Sequence, residues 1–392
     1  WRGKLAQSYA RSNQFEKAIH LYETLPNQAY KLAFLYFDSG QYNKALRLLN
    51  ALKVSGNKST DIAWLKFWSL YFTKQYQTAL TFLNTLPDEN DKNLKKKIIY
   101  WQAVTWEKLG NQKKSRELYN IVSVSNTPDY YAYLAQHKLH ESTFIPDSIV
   151  KTDFLLKPTQ VEFKTDRLPD KTAQSVFDYL NSRLLGTSTD ESELTIDDFS
   201  DRGQKLYFNG SYNYLAALGT IFLKTRPPTF TEQAYFWAYP LAYKEWVYFY
   251  AGIYGVDPFL SLAIMKQESG YRPAISSPAL ALGLMQIIPQ TSRDLANELK
   301  IDYFHHEDLK LAPLNIQMGT FYLKKRLGEY GPHLPYIIAS YNAGPLAVNR
   351  WKAQGDHMQP DEFVEQIPFD ETQNYVKKVL TNYWTYLLLY TK

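Results

Sequence analysis

The sequence predicts an all-α protein, and three observations carry that expectation. The first third repeats a helical-hairpin pattern, a sharply punctuated apolar helix lies at 257–270, and from about residue 238 short helical runs alternate with Gly- and Pro-bearing turns. A length of 392 residues fits two to three domains, taking about 100–200 residues for each. Hydrophobic residues make up 45%, enough for sizeable cores.

The repeat is visible in four copies: Phe15-Glu-Lys-Ala18-Ile-His-Leu-Tyr, Tyr42-Asn-Lys-Ala45-Leu-Arg-Leu-Leu, Tyr76-Gln-Thr-Ala79-Leu-Thr-Phe-Leu and Gln112-Lys-Lys-Ser115-Arg-Glu-Leu-Tyr. The small residue recurs at 18, 45, 79 and 115, in steps of 27, 34 and 36. Each of the later copies follows an apolar helical stretch, and Gly40 and Gly110 stand in the turns before two of them. Helix, turn and second helix at such a period resemble tetratricopeptide-type hairpins, in degenerate form. A single hairpin cannot bury its apolar face, so the copies are expected to stack into a superhelix over 1–140, with their aromatics as core. Residues 141–240 are expected to form a helical linker. It includes the polar stretches Thr152–Asp170 and Leu185–Asp198 and a turn at Arg226-Pro-Pro. A third domain is expected over 241–392.

Composition removes several function classes. Lys+Arg total 44 against 39 for Asp+Glu, a net charge of +5. That excess is too thin to argue for nucleic acid. The absence of cysteine excludes a disulfide scaffold, thiolate-bound zinc, iron–sulfur clusters and thiol nucleophiles. No GxxxxGK[ST] or GxGxxG motif occurs. The run His305-His306-Glu307-Asp308 looks like metal ligands, but adjacent side chains do not converge on one ion, and a solvated turn is expected. Neither a cofactor nor a metal is therefore expected. Lys95-Lys96-Lys97 reads as a helix face. The uncharged stretch Leu206–Leu223 approaches the length of a membrane span, about 20 residues. Asn209, Gly210, Ser211, Asn213 and Gly219 interrupt it, so buried helix and loop are expected and no transmembrane segment. The chain opens at Trp1 rather than Met and is read as processed or truncated, which makes the missing signal peptide uninformative.

Asp257 is a natural N-cap and Pro258 a natural first helical residue; Gly270 suits the position just past the C-terminus. Leu260, Ile264 and Glu268 then share one helix face. A carboxylate on that apolar face, at the negative end of the helix dipole, has its pKa raised. That is the condition a general acid needs at neutral pH.

Further motifs follow in order: Glu268-Ser-Gly-Tyr-Arg-Pro273, Ser276-Ser277-Pro278, Gly283-Leu-Met-Gln286, Asn315-Ile-Gln-Met-Gly319, Ala339-Ser-Tyr341-Asn342-Ala-Gly344-Pro345 and Ile367-Pro-Phe-Asp-Glu371-Thr-Gln-Asn-Tyr375. This ordered set resembles the catalytic domain of the soluble lytic transglycosylases, which has a goose-type lysozyme-like fold. The likeness runs over roughly 240–390, and the helical repeats resemble the α-superhelix of the larger members. The resemblance implies that Glu268 is the single catalytic acid and base. It implies that Ser277 and Gln286 line the sugar cleft, that Tyr341 lies near the scissile sugar with Asn342 in the turn after it, and that Glu371 is a carboxylate beside the cleft. It further implies peptidoglycan glycan strands as substrate, 1,6-anhydro-N-acetylmuramic acid ends as product, a periplasmic location, exolytic action if the superhelix encloses the domain, and cell-wall synthesis proteins as partners of the repeats.

The sequence departs from the family pattern at three places. Leu280-Ala281-Leu282 replaces the usual Gly-Ala before Gly-Leu-Met-Gln, Ile288 replaces Met, and Gln373 replaces an Arg that could pair with a carboxylate. Two alternatives stand beside this reading: a hydrolytic muramidase that uses water, and an inactive wall-binding scaffold.

Overall fold

The computed structural model describes residues 1–12, 14–52, 58–86, 92–125, 129–140, 203–225, 231–355 and 358–391. The linker expected over 141–240 therefore lies mostly outside the described residues, Thr152–Asp170, Leu185–Asp198 and the Arg226-Pro-Pro turn included. Among the described residues the named elements are helical, and β-structure is confined to the isolated bridges Ser276–Leu282 and Leu282–Ile287. No helix among them is long and apolar enough to cross a membrane. Of the described residues, those within Trp1–Ser125, Tyr131–Thr143 and Leu346–Met358 form one compact unit. Those within Asn126–Tyr130, Phe144–Pro345 and Gln359–Lys392 form a second.

The first unit is a run of helical hairpins. Arg2–Arg11 pairs with Phe15–Glu23, Ala29–Asp38 with Tyr42–Ala51, Lys58–Phe72 with Tyr76–Leu83, and Lys92–Lys108 with Gln112–Ser123. The recurring small residues sit where the helices approach: Ala18, Ala45 and Ala79 are fully buried and Ser115 is 1% exposed. Aromatic rings fill the space between hairpins. The Trp68 and Trp101 rings meet edge to face at 4.6 Å, and Tyr42 contacts both Phe37 and Phe72 at 5.2 and 5.1 Å. The turns before the second helices of the last three hairpins each hold a left-handed residue. Gly40 and Gly110 supply it at φ +73° and +78°, whereas Lys74 adopts φ +59° at the equivalent place and bears the steric cost of a Cβ there. Of the three lysines at 95–97, Lys97 lies over the Trp64 ring at 4.1 Å, and Lys96 donates to the Ser125 hydroxyl.

In the second unit, Leu206, Leu215, Leu218, Ala234 and Trp237 form a buried cluster, so the uncharged stretch is core, as expected. The helix Pro258–Ser269 is the central element. Its N-terminus is built as the sequence indicates: the Asp257 side chain accepts from the Phe259 amide at 2.8 Å, Pro258 follows, and Gly270 ends the helix at φ +54°. Pro258 through Met265 are all buried, because the helices Lys244–Tyr254, Ala312–Tyr330 and Asp370–Tyr390 pack around them. The Asp257 carboxylate also accepts from the Tyr383 hydroxyl at 2.8 Å, which ties the helix start to the C-terminal helix.

Residues 276–287 form a short bridged loop, here called the hairpin. It packs on Ala312–Tyr330 so closely that a Cβ at Gly319 would lie 2.2 Å from the Met285 sulfur. Asn315, fully buried on that helix, fixes the hairpin. Its Oδ1 accepts from the Met285 amide at 2.8 Å, and its Nδ2 donates to the Leu282 and Leu309 carbonyls, each at 2.9 Å. Replacing it by an apolar side chain strands two buried backbone groups, the Met285 amide and the Leu309 carbonyl, each costing about 1–3 kcal/mol if left unpaired, while the Leu282 carbonyl keeps its bond from the Ile287 amide at 3.2 Å. Asn315→Leu is accordingly expected to lower the unfolding free energy of the second unit by about 3 kcal/mol, read as a shift of the urea midpoint. Ala79→Leu, which overfills a helix contact in the first unit, should cost about 1–3 kcal/mol in the same measurement.

Candidate active site

Glu268 stands in the last turn of the buried helix, on the face shared with Leu260 and Ile264, which are 1% and 0% exposed. Its Oε1 accepts a 2.6 Å hydrogen bond from the Tyr375 hydroxyl, which reaches it from the helix Asp370–Tyr390. Burial pushes the Glu268 carboxyl up to about 7. The Tyr375 bond favours the ionised form and opposes that shift, while the negative charge of Glu371 adds to it. The side chain is half-buried, so the group is shielded but still reachable by a ligand.

Of the other sequence-indicated residues, Tyr341 and Glu371 come near this carboxyl, Asn342 is tied to the residue after Glu371, and Ser277 and Gln286 lie on the hairpin that Tyr341 braces. Tyr341 is near enough for the Glu268 charge to raise its phenol further, after burial has already pushed it well up. Its hydroxyl donates to the Met285 carbonyl at 2.8 Å, so it braces the hairpin. Its ring meets Tyr322 edge on at 5.2 Å. Asn342 is exposed and accepts at Oδ1 from the Thr372 hydroxyl at 2.6 Å, which links the end of the helix Leu334–Ala343 to the residue after Glu371. Glu371 is exposed in the first turn of Asp370–Tyr390, where the helix dipole favours an anion.

Ser277 and Gln286 flank the hairpin. The Ser277 Oγ accepts from the Ala281 amide at 3.1 Å. Gln286 sits at φ +48° and donates through Nε2 to the Ile275 and Gly283 carbonyls at 3.1 and 2.9 Å. Its amide hydrogens are therefore spent on the hairpin, and the Oε1 acceptor is what remains to face a ligand. The same holds for Tyr341, whose hydroxyl hydrogen goes to a backbone carbonyl.

Sequence reasoning gave no role to Tyr375, although it is the side chain that touches Glu268. A signal was present: Tyr375 is four residues after Glu371 and shares its helix face. The replacement of Arg by Gln373 is also met structurally. Gln373 donates to the Glu365 carbonyl at 2.9 Å, and Lys377, one turn further on, pairs with the buried Glu365 carboxylate at 2.7 Å. His305-His306-Glu307-Asp308 opens a 3₁₀ turn in which Asp308 caps the His305 amide at 2.8 Å. Among the described residues no group of three or more His, Asp and Glu could hold a metal ion.

The buried, capped helix thus carries near its end a carboxyl held by a phenol donor. Residues 246–364 match the Transglycosylase SLT domain. Over this region the chain is related to the soluble lytic murein transglycosylases. The Salmonella typhimurium and Escherichia coli proteins of that name are each 36% identical over 144 residues, which is 36% of this chain and 22% of theirs. The match thus spans about a quarter of the length of such relatives or less. Two solved structures share the fold along nearly the whole chain. They are an inactive mutant of the lytic transglycosylase Slt from Pseudomonas aeruginosa, with TM-score 0.62 and 20% identity, and the 70-kDa soluble lytic transglycosylase from Escherichia coli, with TM-score 0.60 and 22% identity. They cover 96% and 99% of this chain, which spans 61% and 62% of theirs. At those identities the likeness is one of fold, and it agrees with the all-α architecture of helical repeats followed by a lysozyme-like domain.

The raised Glu268 carboxyl has a stability consequence. Its folded-state pKa lies above the ordinary carboxyl value of 4.5. The folded state therefore holds the proton more tightly, and stability falls as pH rises from about 4.5 to about 7. Glu268→Gln removes that penalty. The variant should be more stable than the parent at pH 8 by about 1–2 kcal/mol, a figure reduced for solvent screening of a half-buried group. The difference should vanish near pH 4. Urea titrations at the two pH values measure it.

Proposed function

We propose that this chain is a lytic transglycosylase of peptidoglycan, cleaving the β-1,4 bond between N-acetylmuramic acid and N-acetylglucosamine. The observation that carries the proposal is the half-buried Glu268 carboxyl, raised to about 7 and held by the Tyr375 phenol at 2.6 Å. An acid with that pKa exchanges its proton readily at neutral pH, in both directions.

Protonated Glu268 gives its proton to the glycosidic oxygen as the bond to C1 breaks. The N-acetyl group of the muramyl sugar stabilises the oxocarbenium-like centre. Glu268, now ionised, takes the proton of the muramyl C6 hydroxyl as its oxygen bonds to C1. One 1,6-anhydromuramyl end forms and no water is consumed. Glycosidases that use water or a covalent intermediate need a second carboxylate flanking the bond. Here the substrate supplies the second group. Tyr375 would stabilise the ionised half of the cycle, and Ser277, the Gln286 oxygen, Tyr341 and Asn342 would shape the cleft. A peptidoglycan substrate would put the reaction outside the cytoplasm, in the periplasm. The helical repeats over 1–140, the linker over 141–240 and the catalytic domain over 241–392 would form the working molecule, with the repeats guiding strand ends or binding cell-wall synthesis proteins.

One observation favours the hydrolytic alternative. Glu371 is close enough for its charge to act on Glu268, and in a muramidase it would be the base that activates water. Mass spectrometry of fragments released from purified peptidoglycan separates the readings. Anhydromuramyl ends, lighter by one water, are expected; reducing ends would establish hydrolysis, and no release would favour a binding scaffold. Glu268→Gln is expected to slow release by about a thousandfold, and a rate near that of the parent would remove Glu268 from the chemistry. Tyr375→Phe deletes a bond that favours the ionised carboxyl. The upper limb of the pH–rate profile should therefore move to higher pH, by about half a unit to one unit.

A further inference from the structure

We infer that His306 is a positioning residue for the cleft: its imidazole straps the Leu280 turn, and through it Ser277, to the neighbouring helix. This rests on the glycan-cleaving reading, in which the hairpin is a wall of the site. Leu280 adopts φ +59°, a left-handed conformation that costs a residue with a Cβ. Its side chain is 62% exposed, so burial of the leucine does not offset the cost. Such a conformation persists only where its surroundings over-determine it.

The surroundings are two hydrogen bonds to one imidazole. His306 Nε2 lies 2.8 Å from the Leu280 carbonyl oxygen, and Nδ1 lies 2.9 Å from the Ser292 hydroxyl. A carbonyl only accepts, so Nε2 carries the hydrogen. The single hydrogen of the Ser292 hydroxyl is shared between Nδ1 and the Pro289 carbonyl, which the hydroxyl also reaches at 2.9 Å. Both anchors of the ring are firm. Ser292 is fully buried near the start of the helix Pro289–Leu299. The 3₁₀ turn His306–Lys310 is held from behind by the bond from Asn315 to the Leu309 carbonyl.

The turn delivers this constraint to Ser277. The Leu280 amide donates to the Ser277 carbonyl at 2.9 Å, the Ser277 amide donates to the Ala281 carbonyl at 3.0 Å, and the Ala281 amide donates to the Ser277 hydroxyl. Ser277 is thus bonded to the residues on either side of the strained peptide. If Leu280 relaxed toward negative φ, the Ser277 backbone and hydroxyl would both move. Glycine at 280 would adopt the same φ without strain, and the strap would become dispensable.

The test is a double-mutant cycle of His306→Ala, Leu280→Gly and the pair, with kcat and KM measured on soluble peptidoglycan strands. His306→Ala should raise KM about tenfold and leave kcat within about threefold, the size expected from releasing one strained backbone position. Leu280→Gly should act like the parent, and the pair should recover the parental KM. An equal KM defect in the single and double variants would overturn the inference, as would a fall in kcat at constant KM. If His306→Ala unfolds, the pair should restore the fold, and failure to restore it would count against the strap. Hydrogen exchange over 275–287 reads the same coupling without activity: exchange should speed up in His306→Ala and return to the parental rate in the pair. A parent that releases no fragments but shows this exchange pattern would sink the enzyme reading and leave the strap standing. Unchanged exchange in all variants would sink the strap alone.

Discussion

A carboxyl at the end of a buried helix is held against the pull of water, and the geometry of the second unit follows from how Pro258–Ser269 manages it. The helix is enclosed by apolar contacts from Pro258 to Met265, so it cannot slide or rotate to expose Glu268 further. Its start is fixed by Asp257, which burial pushes up to about 6 while the bonds from the Phe259 amide and the Tyr383 hydroxyl favour its ionised form. Its end is fixed by Gly270 and by Tyr271, whose hydroxyl joins the Tyr386 hydroxyl, which in turn donates to the Pro240 carbonyl. With both ends pinned, the 2.6 Å Tyr375 bond sets the carboxylate position rather than following it.

Much of this was legible in the sequence where one residue type answers one local need. Ala18, Ala45, Ala79 and Ser115 were readable because a close helix approach admits only small side chains at a fixed recurrence. The cap at Asp257 and the stop at Gly270 were readable because each satisfies backbone groups within a few residues. What stayed hidden depends on contacts made across the fold. Tyr375 meets Glu268 from 107 residues away, and Asn315 meets Met285 across 30. The left-handed turns at Lys74 and Leu280 were hidden for another reason. Glycine announces such a turn, as Gly40 and Gly110 do, whereas lysine and leucine give no sign of it.

Non-glycine residues at positive φ occur in both units: Asn27 and Lys74 in the first, and Tyr243, Tyr271, Leu280, Gln286, Lys300 and Tyr303 in the second. Leu280, Gln286 and Glu268 lie within or beside the hairpin, and polar bonds compensate there: Leu280 to His306, Gln286 to Ile275 and Gly283, Glu268 to Tyr375. Polar compensation is directional, so it holds a group in one place as well as lowering its energy.

The C-terminal helix shows how such a site tolerates a changed residue. Gln373 and Lys377 lie one turn apart and both serve Glu365, while Glu371 and Tyr375 lie one turn apart on another face and serve Glu268. Loss of an arginine at 373 is absorbed on the first face, where Lys377 supplies the positive charge that the buried Glu365 needs. The second face keeps a phenol donor and an anion against Glu268. A cation there would favour the ionised carboxylate and pull its pKa down. Because Lys377 is engaged by Glu365, the acid keeps the environment that raises it. The physical requirement is a separation of faces: one neutralises the buried Glu365 carboxylate, and the other sets a phenol donor and an anion against Glu268.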